Sequence, residues 1–493
     1  MGEAAAQPLR IPPHAVVNWE TTIPHGVSTI QRLGFIILLG FLFMIFSRIF
    51  DLYLAGLHIP GIAERVMVVV LLVSGSYWLP FQSAIGKRLL CFTAWMVVGV
   101  PFSVWRRGSL ALLTGQWWAS VLVFVAAAGL ILDFRQYRRA TLVMALAIFC
   151  LSLFCLHYGS QQSGRLWMGD RSRFANPNEM AQAVLIGIPF WIAVAKRSAS
   201  PIGKLLAACV LLLMVYLISK TGSRGALISF AALYLVLLYH ASAAGKAGLL
   251  LAGSLSLCAA LAFLPSSLKD RYKTLFSQDR PEVQEPSEDY MLVSAASSTE
   301  SREHLFHQSL ILTARHPIFG VGVEQFSVAE NDLAISQGKR KGSWIGTHNT
   351  YMQVACETGI PGLLFFLSVL LLSLKKTYVL YASTKNRPEL RELSTQAEAL
   401  FLALVCLSIT DIFIHTAYTM LLPLLAGMAV ALEHTSRPLL AQAPTTQAAI
   451  RLPAAVVKQV FPHRAPAGPP GDRPERASSA PSAGNPAPDR ITA

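Results

Sequence analysis

The stretch ATLVMALAIFCLSLFCLH, residues 140–157, contains no aspartate, glutamate, lysine or arginine. A helix that crosses the hydrocarbon core of a bilayer needs about 20 mainly apolar residues, so this stretch predicts a membrane span. Other stretches have the same character. They lie at 29–50, 62–80, 88–105, 116–132, 180–195, 203–219, 225–240, 246–264, 360–374, 399–417 and 420–434. The sequence therefore predicts an all-α polytopic membrane protein with about 12 transmembrane helices.

The overall composition agrees with a membrane protein. Of the 493 residues, 53% are hydrophobic and 14% are charged, and the net charge is +14. The mean hydropathy is +0.48. A soluble chain is about 25% charged, so these few charges cannot cover a water-facing surface. The hydrophobicity excludes a disordered chain, and seven cysteines exclude a disulfide scaffold.

Lysine and arginine predict the orientation of the helices. Cytoplasmic loops of membrane proteins carry an excess of these residues, and one alternating set of loops is richer in them. This set contains 87–88, 135–139, 196–204 and 375–391. We therefore expect this set and both termini to be cytoplasmic, and the other side to be the periplasm if the organism is a Gram-negative bacterium. Because the basic residues are dispersed over loops on both sides, nucleic-acid binding is not expected.

This orientation divides the chain into five parts. The predicted parts are a cytoplasmic N-terminal segment (1–28), transmembrane helices one to nine (29–264), a large periplasmic loop (265–359), helices ten to twelve (360–435) and a disordered Pro/Ala-rich cytoplasmic tail (436–493).

Several basic residues lie in short loops on the opposite, predicted periplasmic side. They are Arg106, Arg107, Arg165, Arg171, Arg173, Lys220 and Arg224. As a group they predict an anion-binding wall, because a guanidinium pairs two phosphate oxygens at once and stays protonated. For each residue alone, an ordinary basic residue in a translocated loop is the alternative.

Two of these loops have a more specific pattern. In KTGSRGA, residues 220–226, two glycines flank Ser223 and Arg224 just before a predicted helix. Backbone N–H groups in such a turn can converge on an anion, although a plain interhelical turn is equally compatible. In RFANPNEMA, residues 173–181, Asn176 and Asn178 flank a proline. Here we predict a tight turn with Asn178 as the helix cap, and substrate contact as the alternative.

The first half of the large loop predicts an amphipathic helix. Its acidic run, 279–289, lacks the spacing of a metal site and indicates a solvated face. The capping box SSTE, 297–300, then introduces a helix over 298–315. Arg302 would lie in the first turns of this helix, where the helix dipole also favours an anion. A surface salt bridge with Glu303 is the alternative.

The second half of the loop predicts a short helix, a break and a membrane span. Thr347, His348 and Asn349 start a helix that Gly359 ends, and Pro361 lies in the first turn of the next span. The positive end of the helix dipole disfavours a protonated His348. A neutral histidine can accept a proton as a general base, although a lone loop histidine is often structural.

These residues resemble a known family. His348-Asn349, nine residues and then Gly359-x-x-Gly362 reproduce the H-[NSQ]-x9-G-x-x-G signature of the bacterial O-antigen ligases. SRG at 223–225, the helix with Arg302, HPIFGVG at 316–322 and NPN at 176–178 are also similar to that family. The resemblance covers residues 160–435.

The resemblance implies a GT-C-type glycosyltransferase of the bacterial inner membrane. It would transfer O-antigen polysaccharide from undecaprenyl diphosphate to a sugar hydroxyl of lipid A-core, with inversion and without a metal or cofactor. Arg224 and Arg302 correspond to diphosphate ligands, His348 to the candidate base, and Gly359 and Gly362 to structural glycines. The residues that we expect to contact diphosphate or sugar are Lys220, Ser223, Arg173, Asn176, Asn178 and Asn349.

Other functions remain as alternatives. An O-antigen polymerase or a protein O-oligosaccharyltransferase would use the same donor with a different acceptor. A 12-span secondary transporter would place ionisable residues in mid-membrane, where Asp411 and His415 are the candidates. A structural polar pair explains these two residues equally well.

Overall fold

The computed structural model describes residues 29–47, 59–162, 164–168, 176–241, 243–273 and 290–443. This part of the chain is mostly helical. Its α-helices are α1 (Thr29–Ser47), α2 (Ile59–Ser74), α3 (Leu79–Gln82), α4 (Ala84–Gly99), α5 (Arg106–Leu112), α6 (Trp118–Leu130), α7 (Phe134–Tyr158), α8 (Pro177–Arg197), α9 (Pro201–Lys220), α10 (Arg224–His240), α11 (Ala243–Phe263), α12 (Ser266–Lys273), α13 (Tyr290–Arg315), α14 (Phe326–Ser336), α15 (Thr350–Thr384), α16 (Arg391–Thr410) and α17 (Leu421–Gln442). A π-helical segment, Leu113–Trp117, joins α5 to α6, and a two-stranded antiparallel hairpin, β1 (Ser160–Gln162) and β2 (Arg165–Trp167), follows α7.

Eight helical segments among the described residues are long and apolar enough to cross a membrane. They are Thr29–Ser47, Ala84–Phe102, Arg106–Leu130, Phe134–Tyr158, Pro177–Arg197, Pro201–Lys220, Thr350–Thr384 and Pro388–Thr410. The prediction of an all-α polytopic membrane protein is therefore confirmed. The remaining predicted spans coincide with helices, but α2 and α10 have only 16 and 17 residues. A total of about 12 spans thus stays a prediction.

The break between the last two helices lies earlier than predicted. The sequence places it between the predicted spans 399–417 and 420–434, whereas α16 ends at Thr410 and α17 begins at Leu421. The intervening turn is fastened to the start of α15, because the N–H of Thr350 donates to the carbonyl of Asp411 at 2.8 Å. The hydroxyl of Thr350 also donates to the carbonyl of Ile414 at 2.7 Å. These bonds satisfy backbone groups that the two helix ends would otherwise leave open.

The predicted break inside α15 is confirmed. Gly359 has φ 72° and ψ −179°, which interrupts the helix between its first turns and the long apolar part. The N–H of the next residue, Ile360, donates to the carbonyl of Pro317 at 2.8 Å. A Cβ at position 359 would overlap the carbonyl of Ile318, so the close approach of this backbone requires glycine.

The helices form one packed bundle with a large apolar core. α8 packs on α16, α6 on α17, and α15 packs against both α4 and α16. Small residues allow the closest approach, since a Cβ at Gly427 of α17 would lie 2.8 Å from the carbonyl oxygen of Phe124 in α6. This packing fixes the ends of α8, α15 and α16 relative to one another.

One end of the bundle carries ion pairs among residues of the predicted cytoplasmic set. Glu392, at the start of α16, accepts Arg138 at 2.6 Å and Arg197 at 2.9 Å. The opposite ends of α8 and α16 meet the starts of α10 and α15. The two ends are thus chemically different, and the compartment that each end faces stays a prediction.

Candidate active site

The site begins where the hairpin meets the start of α8. Asn176 is the N-cap of α8, and its Oδ1 accepts the N–H groups of Asn178 (2.9 Å) and Glu179 (3.1 Å). The prediction that Asn178 caps this helix is therefore wrong, because Asn176 occupies the cap position with Pro177 after it. The side chain of Asn178 instead accepts a bond from Arg165 Nη2 at 2.8 Å.

Arg165 also connects α8 to the loop between α9 and α10. Its Nε donates to the carbonyl of Thr221 at 2.8 Å. Gly222 has φ 62°, and the hydroxyl of Ser223 caps α10 by accepting the N–H of Ala226 at 3.4 Å. The predicted turn and helix start are confirmed, and Arg224 is the first residue of α10.

Lys220 lies at the end of α9. Its Nζ is 5.9 Å from the ring centroid of Tyr216 on the same helix, a cation–π distance. The substrate contact predicted for Lys220 stays a prediction.

Arg302 projects from the middle of α13. The helix begins at Tyr290, so Arg302 does not lie in its first turns as predicted. The physical reason is that the preceding residues, which include Met291 and Leu292, are also good helix formers. Burial and the neighbouring charge of Arg224 lower the pKa of Arg302, which still stays protonated at neutral pH.

Arg302 keeps unused hydrogen-bonding capacity. Its Nε is buried and has no hydrogen-bond partner within the described part of the chain. The alternative salt bridge with Glu303 is not formed between these two described residues. A buried guanidinium N–H without a partner is costly unless a ligand accepts it.

His348 lies directly before α15 with a left-handed backbone, φ 52°. Asn349 is the N-cap, and its Oδ1 accepts the N–H of Met352 at 3.0 Å. The ring of His348 faces the ring of His415, with centroids 5.0 Å apart and an interplanar angle of 76°. Burial, then His415 and then Arg302 lower the pKa of His348 to about 3.

These contacts bring four basic side chains to one place: Arg224, Arg302, His348 and His415. The imidazole of His348 is neutral at pH 7, as the sequence predicts. Burial, His415 and Arg302 disfavour its protonation, and the predicted contribution of the helix dipole stays a prediction. The cluster is suited to bind an anion at the arginines and to accept a proton from a hydroxyl group at His348.

Residues 207–367 match the family described as O-antigen ligase. The matched stretch is thus similar to that family. The resemblance inferred from the histidine, asparagine and glycine signature is thereby confirmed. No curated protein matches the sequence. The matched stretch includes most of the residues that the signature predicts for the site: Arg224, Arg302, His348, Gly359 and Gly362. Four residues that contact them or one another lie outside it: Arg165, Asn176, Asn178 and His415.

Within the matched stretch, the segment HPIFGVG (316–322) is hydrogen-bonded to the part of α15 just before its break. The N–H of Val321 donates to the carbonyl of Cys356 at 2.8 Å, and that of Gly322 to Glu357 at 3.0 Å. Gly320 and Gly322 both have positive φ, 69° and 105°. The segment therefore runs alongside the first turns of α15 and supports the helix that His348 precedes.

Sequence reasoning missed the role of Glu357. This fully enclosed carboxylate accepts the N–H of Glu324 at 2.9 Å and that of Phe326 at 3.1 Å. It thereby caps α14 and fastens it to α15. The sequence signal is a glutamate two residues before the break at Gly359, and this spacing alone does not indicate what the glutamate binds.

Sequence reasoning also misread the pair Asp411 and His415. Asp411 Oδ1 accepts Gln182 Nε2 at 2.9 Å and Thr416 Oγ1 at 3.0 Å, so its partners lie elsewhere. His415 faces His348 instead, and its Nδ1 is buried without a partner among the described residues. Gly346 packs on this ring so closely that a Cβ there would lie 2.6 Å from it.

The predicted disordered tail is wrong at its start, because residues 436–442 continue helix α17. Several other predictions concern residues outside the described ranges, namely the segment 1–28, Arg171 and the rest of the tail, 444–493. Arg173 and the acidic run at 279–289 lie outside the described residues. Within the described ranges, no group of three or more histidines, cysteines, aspartates or glutamates is arranged to hold a metal ion. Ser223, Asn176 and Asn349 make capping hydrogen bonds in the structure. The substrate contacts predicted for the same three residues stay predictions.

Proposed function

We propose that this protein is an O-antigen ligase that transfers O-antigen polysaccharide from undecaprenyl diphosphate to a sugar hydroxyl of lipid A-core. The observation that carries the proposal is that Arg224, Arg302 and His348 lie close together and all belong to the stretch that matches the O-antigen ligase family. We further propose a GT-C-type enzyme in the bacterial inner membrane with this cluster facing the periplasm.

The arginines supply the donor half of the reaction. As the bond between the anomeric carbon and the phosphate oxygen breaks, its electron pair stays on the carrier diphosphate. Arg224 and Arg302 balance that charge, and the unpartnered Nε of Arg302 offers a hydrogen bond to it. In a dry site one such donor contributes about 10²–10³-fold in rate, so the reaction can proceed without a metal.

His348 supplies the acceptor half. Its neutral imidazole takes the proton from the attacking sugar hydroxyl while the oxygen bonds to the anomeric carbon from the face opposite the diphosphate. One displacement of this kind inverts the configuration. A positioned base contributes about 10²–10⁴-fold.

The test is reconstitution of the purified protein with carrier-linked polysaccharide and lipid A-core. We expect transfer by the wild type and its loss in His348→Ala and Arg302→Ala. Exposed residues of the same segment, His316→Ala and Arg315→Ala, are matched controls that should retain transfer. Wild-type transfer by His348→Ala would contradict the catalytic assignment, and loss of transfer with EDTA would contradict a metal-independent reaction.

The same variants in cells separate the ligase from the alternatives. Loss of a ligase leaves uncapped lipid A-core together with long carrier-linked chains. Loss of a polymerase instead leaves caps of a single repeat, and loss of a protein O-oligosaccharyltransferase leaves lipopolysaccharide intact. The transporter alternative predicts no transfer by the purified protein.

A further inference from the structure

A cavity of about 480 Å³ is lined in part by the turn that follows α16, the turn that also contains His415. Its walls come from α1, the π-helical segment with α6, the start of α8, and residues 416–421. Ligand pockets in proteins commonly have volumes of about 300–1,000 Å³. Irregular helical turns of the π type are also frequent at functional sites. The cavity is therefore large enough for a ligand of its own.

The polar part of the cavity wall accepts hydrogen bonds and carries negative charge. Glu64 and Glu179 contribute carboxylates, and Gln116, Gln182 and Thr416 contribute amide and hydroxyl groups. None of the described residues that line the cavity is a lysine, arginine or histidine. The described lining thus differs from the cluster around His348, because it contains carboxylates and no basic side chain.

Gln182 leaves one buried acceptor open. This side chain has no exposed surface, and its Nε2 donates to Thr410 Oγ1 and Asp411 Oδ1, both at 2.9 Å. These two bonds fix the amide, and its Oε1 has no partner among the described residues. A buried carbonyl oxygen without a protein partner usually accepts a hydrogen bond from an ordered water or a ligand.

The rest of the wall is apolar. Phe41, Met44 and Ile45 of α1 and Met420 of the turn line it. A ligand that suits this cavity donates several hydrogen bonds, carries no negative charge where it meets the carboxylates, and presents C–H surface to the apolar side. A sugar unit has these properties, whereas a diphosphate does not.

We propose that this cavity binds the sugar unit of the acceptor, the second substrate of the proposed ligase reaction, on which the proposal rests. Neighbouring residues connect it to the donor cluster. Thr416 lines the cavity and follows His415, which faces His348. Glu179 lines it and follows Asn178, which binds Arg165. The acceptor sugar and the donor diphosphate are thus bound by adjoining sites of opposite charge.

The test fills the cavity without disturbing the basic cluster. Gly115 lines the cavity, and a Cβ there would meet no atom within 4 Å, so Gly115→Phe adds a ring to the cavity. Gly40 on α1 is outside the cavity lining and is equally open, so Gly40→Phe is the matched control. We expect Gly115→Phe to raise the KM for the acceptor by about 10-fold or more and to leave the KM for the donor unchanged.

A second variant removes charge instead of volume. Glu179→Gln keeps the oxygen that accepts Asn176 Nδ2 at 2.7 Å, and should raise the KM for the acceptor with little change in kcat. Unchanged acceptor KM in both variants would overturn the proposal, and so would a rise confined to the KM for the donor. If the wild type transfers nothing from a carrier-linked donor, the proposed function itself fails, which is a distinct result.

Discussion

Replacing His415 by phenylalanine tests whether this residue takes part in the chemistry of His348. The two rings lie edge to face at 5.0 Å, and Gly346 covers the other side of His415. Phenylalanine keeps a ring in that space, so the packing around His348 is retained. The change removes Nδ1 of His415, which has no hydrogen-bond partner among the described residues. It also removes the second imidazole that can be protonated next to His348.

The expected effect follows from the distance between the rings. Two unit charges 5.0 Å apart repel by about 3 kcal/mol at an effective dielectric constant of about 20, which corresponds to about 2 pH units. His415 lowers the pKa of His348, and burial followed by Arg302 lowers the pKa of His415 itself. Without His415, the pKa of His348 should therefore rise by up to about 2 units.

The assay is the pH dependence of kcat/KM, which reports the free enzyme. A base acts only when deprotonated, so a higher pKa for His348 moves the acidic loss of activity to higher pH. Titration of the donor affects the wild type and the variant equally. The control is His307→Phe, an exposed histidine of α13 that should leave the profile unchanged. An acidic limb in His415→Phe that coincides with that of the wild type would refute the coupling.

Three further predictions concern the residues that hold the site together. Gly359→Ala forces a Cβ into the carbonyl of Ile318 at a left-handed φ and should destabilise the protein by about 1–3 kcal/mol in thermal unfolding; an unchanged Tm would contradict this. Glu357→Gln leaves one of the two N–H groups, of Glu324 or Phe326, poorly paired and should lower the free energy of unfolding by about 1–3 kcal/mol. The exposed control Glu303→Gln should leave the free energy of unfolding unchanged. Arg165→Ala removes the hydrogen bonds from the hairpin to Thr221 and Asn178. Because the loop before Arg224 is then misplaced, kcat/KM should fall about 10²-fold. A wild-type kcat/KM would show that these bonds are not needed to position Arg224.

Local sequence signals predicted the helices and several of their ends. Apolar length was enough for the spans, and the sequence placed helix starts directly after 220–223 and at 347–349, where the structure has Ser223 and Asn349 as caps. Gly359 was predictable because few residues other than glycine adopt its backbone conformation. Each of these signals depends on residues close together in the chain, where propensity and capping decide the structure.

The errors arose where local signals competed or where partners are distant. Both Asn176 and Asn178 can cap a helix, and only the position of Pro177 in the first turn decides between them. The capping box before Arg302 lies inside a helix that already runs from Tyr290. His415 has a carboxylate one turn away in sequence, yet its neighbour is His348, and that pairing depends on how α15 and α16 pack.

The arrangement of charges also connects the two halves of the proposed reaction. Arg302, which would attract a diphosphate, lowers the pKa of His348 together with burial and His415, so His348 is a weak base without the donor. A bound diphosphate opposes those charges and raises that pKa, which strengthens the base once the donor is present. We infer that His348 is activated by donor binding, so an acceptor hydroxyl, or water, meets a weak base when the donor is absent. A pKa for His348 that is the same with and without bound pyrophosphate would contradict this coupling, because the opposing charges lie in the same cluster.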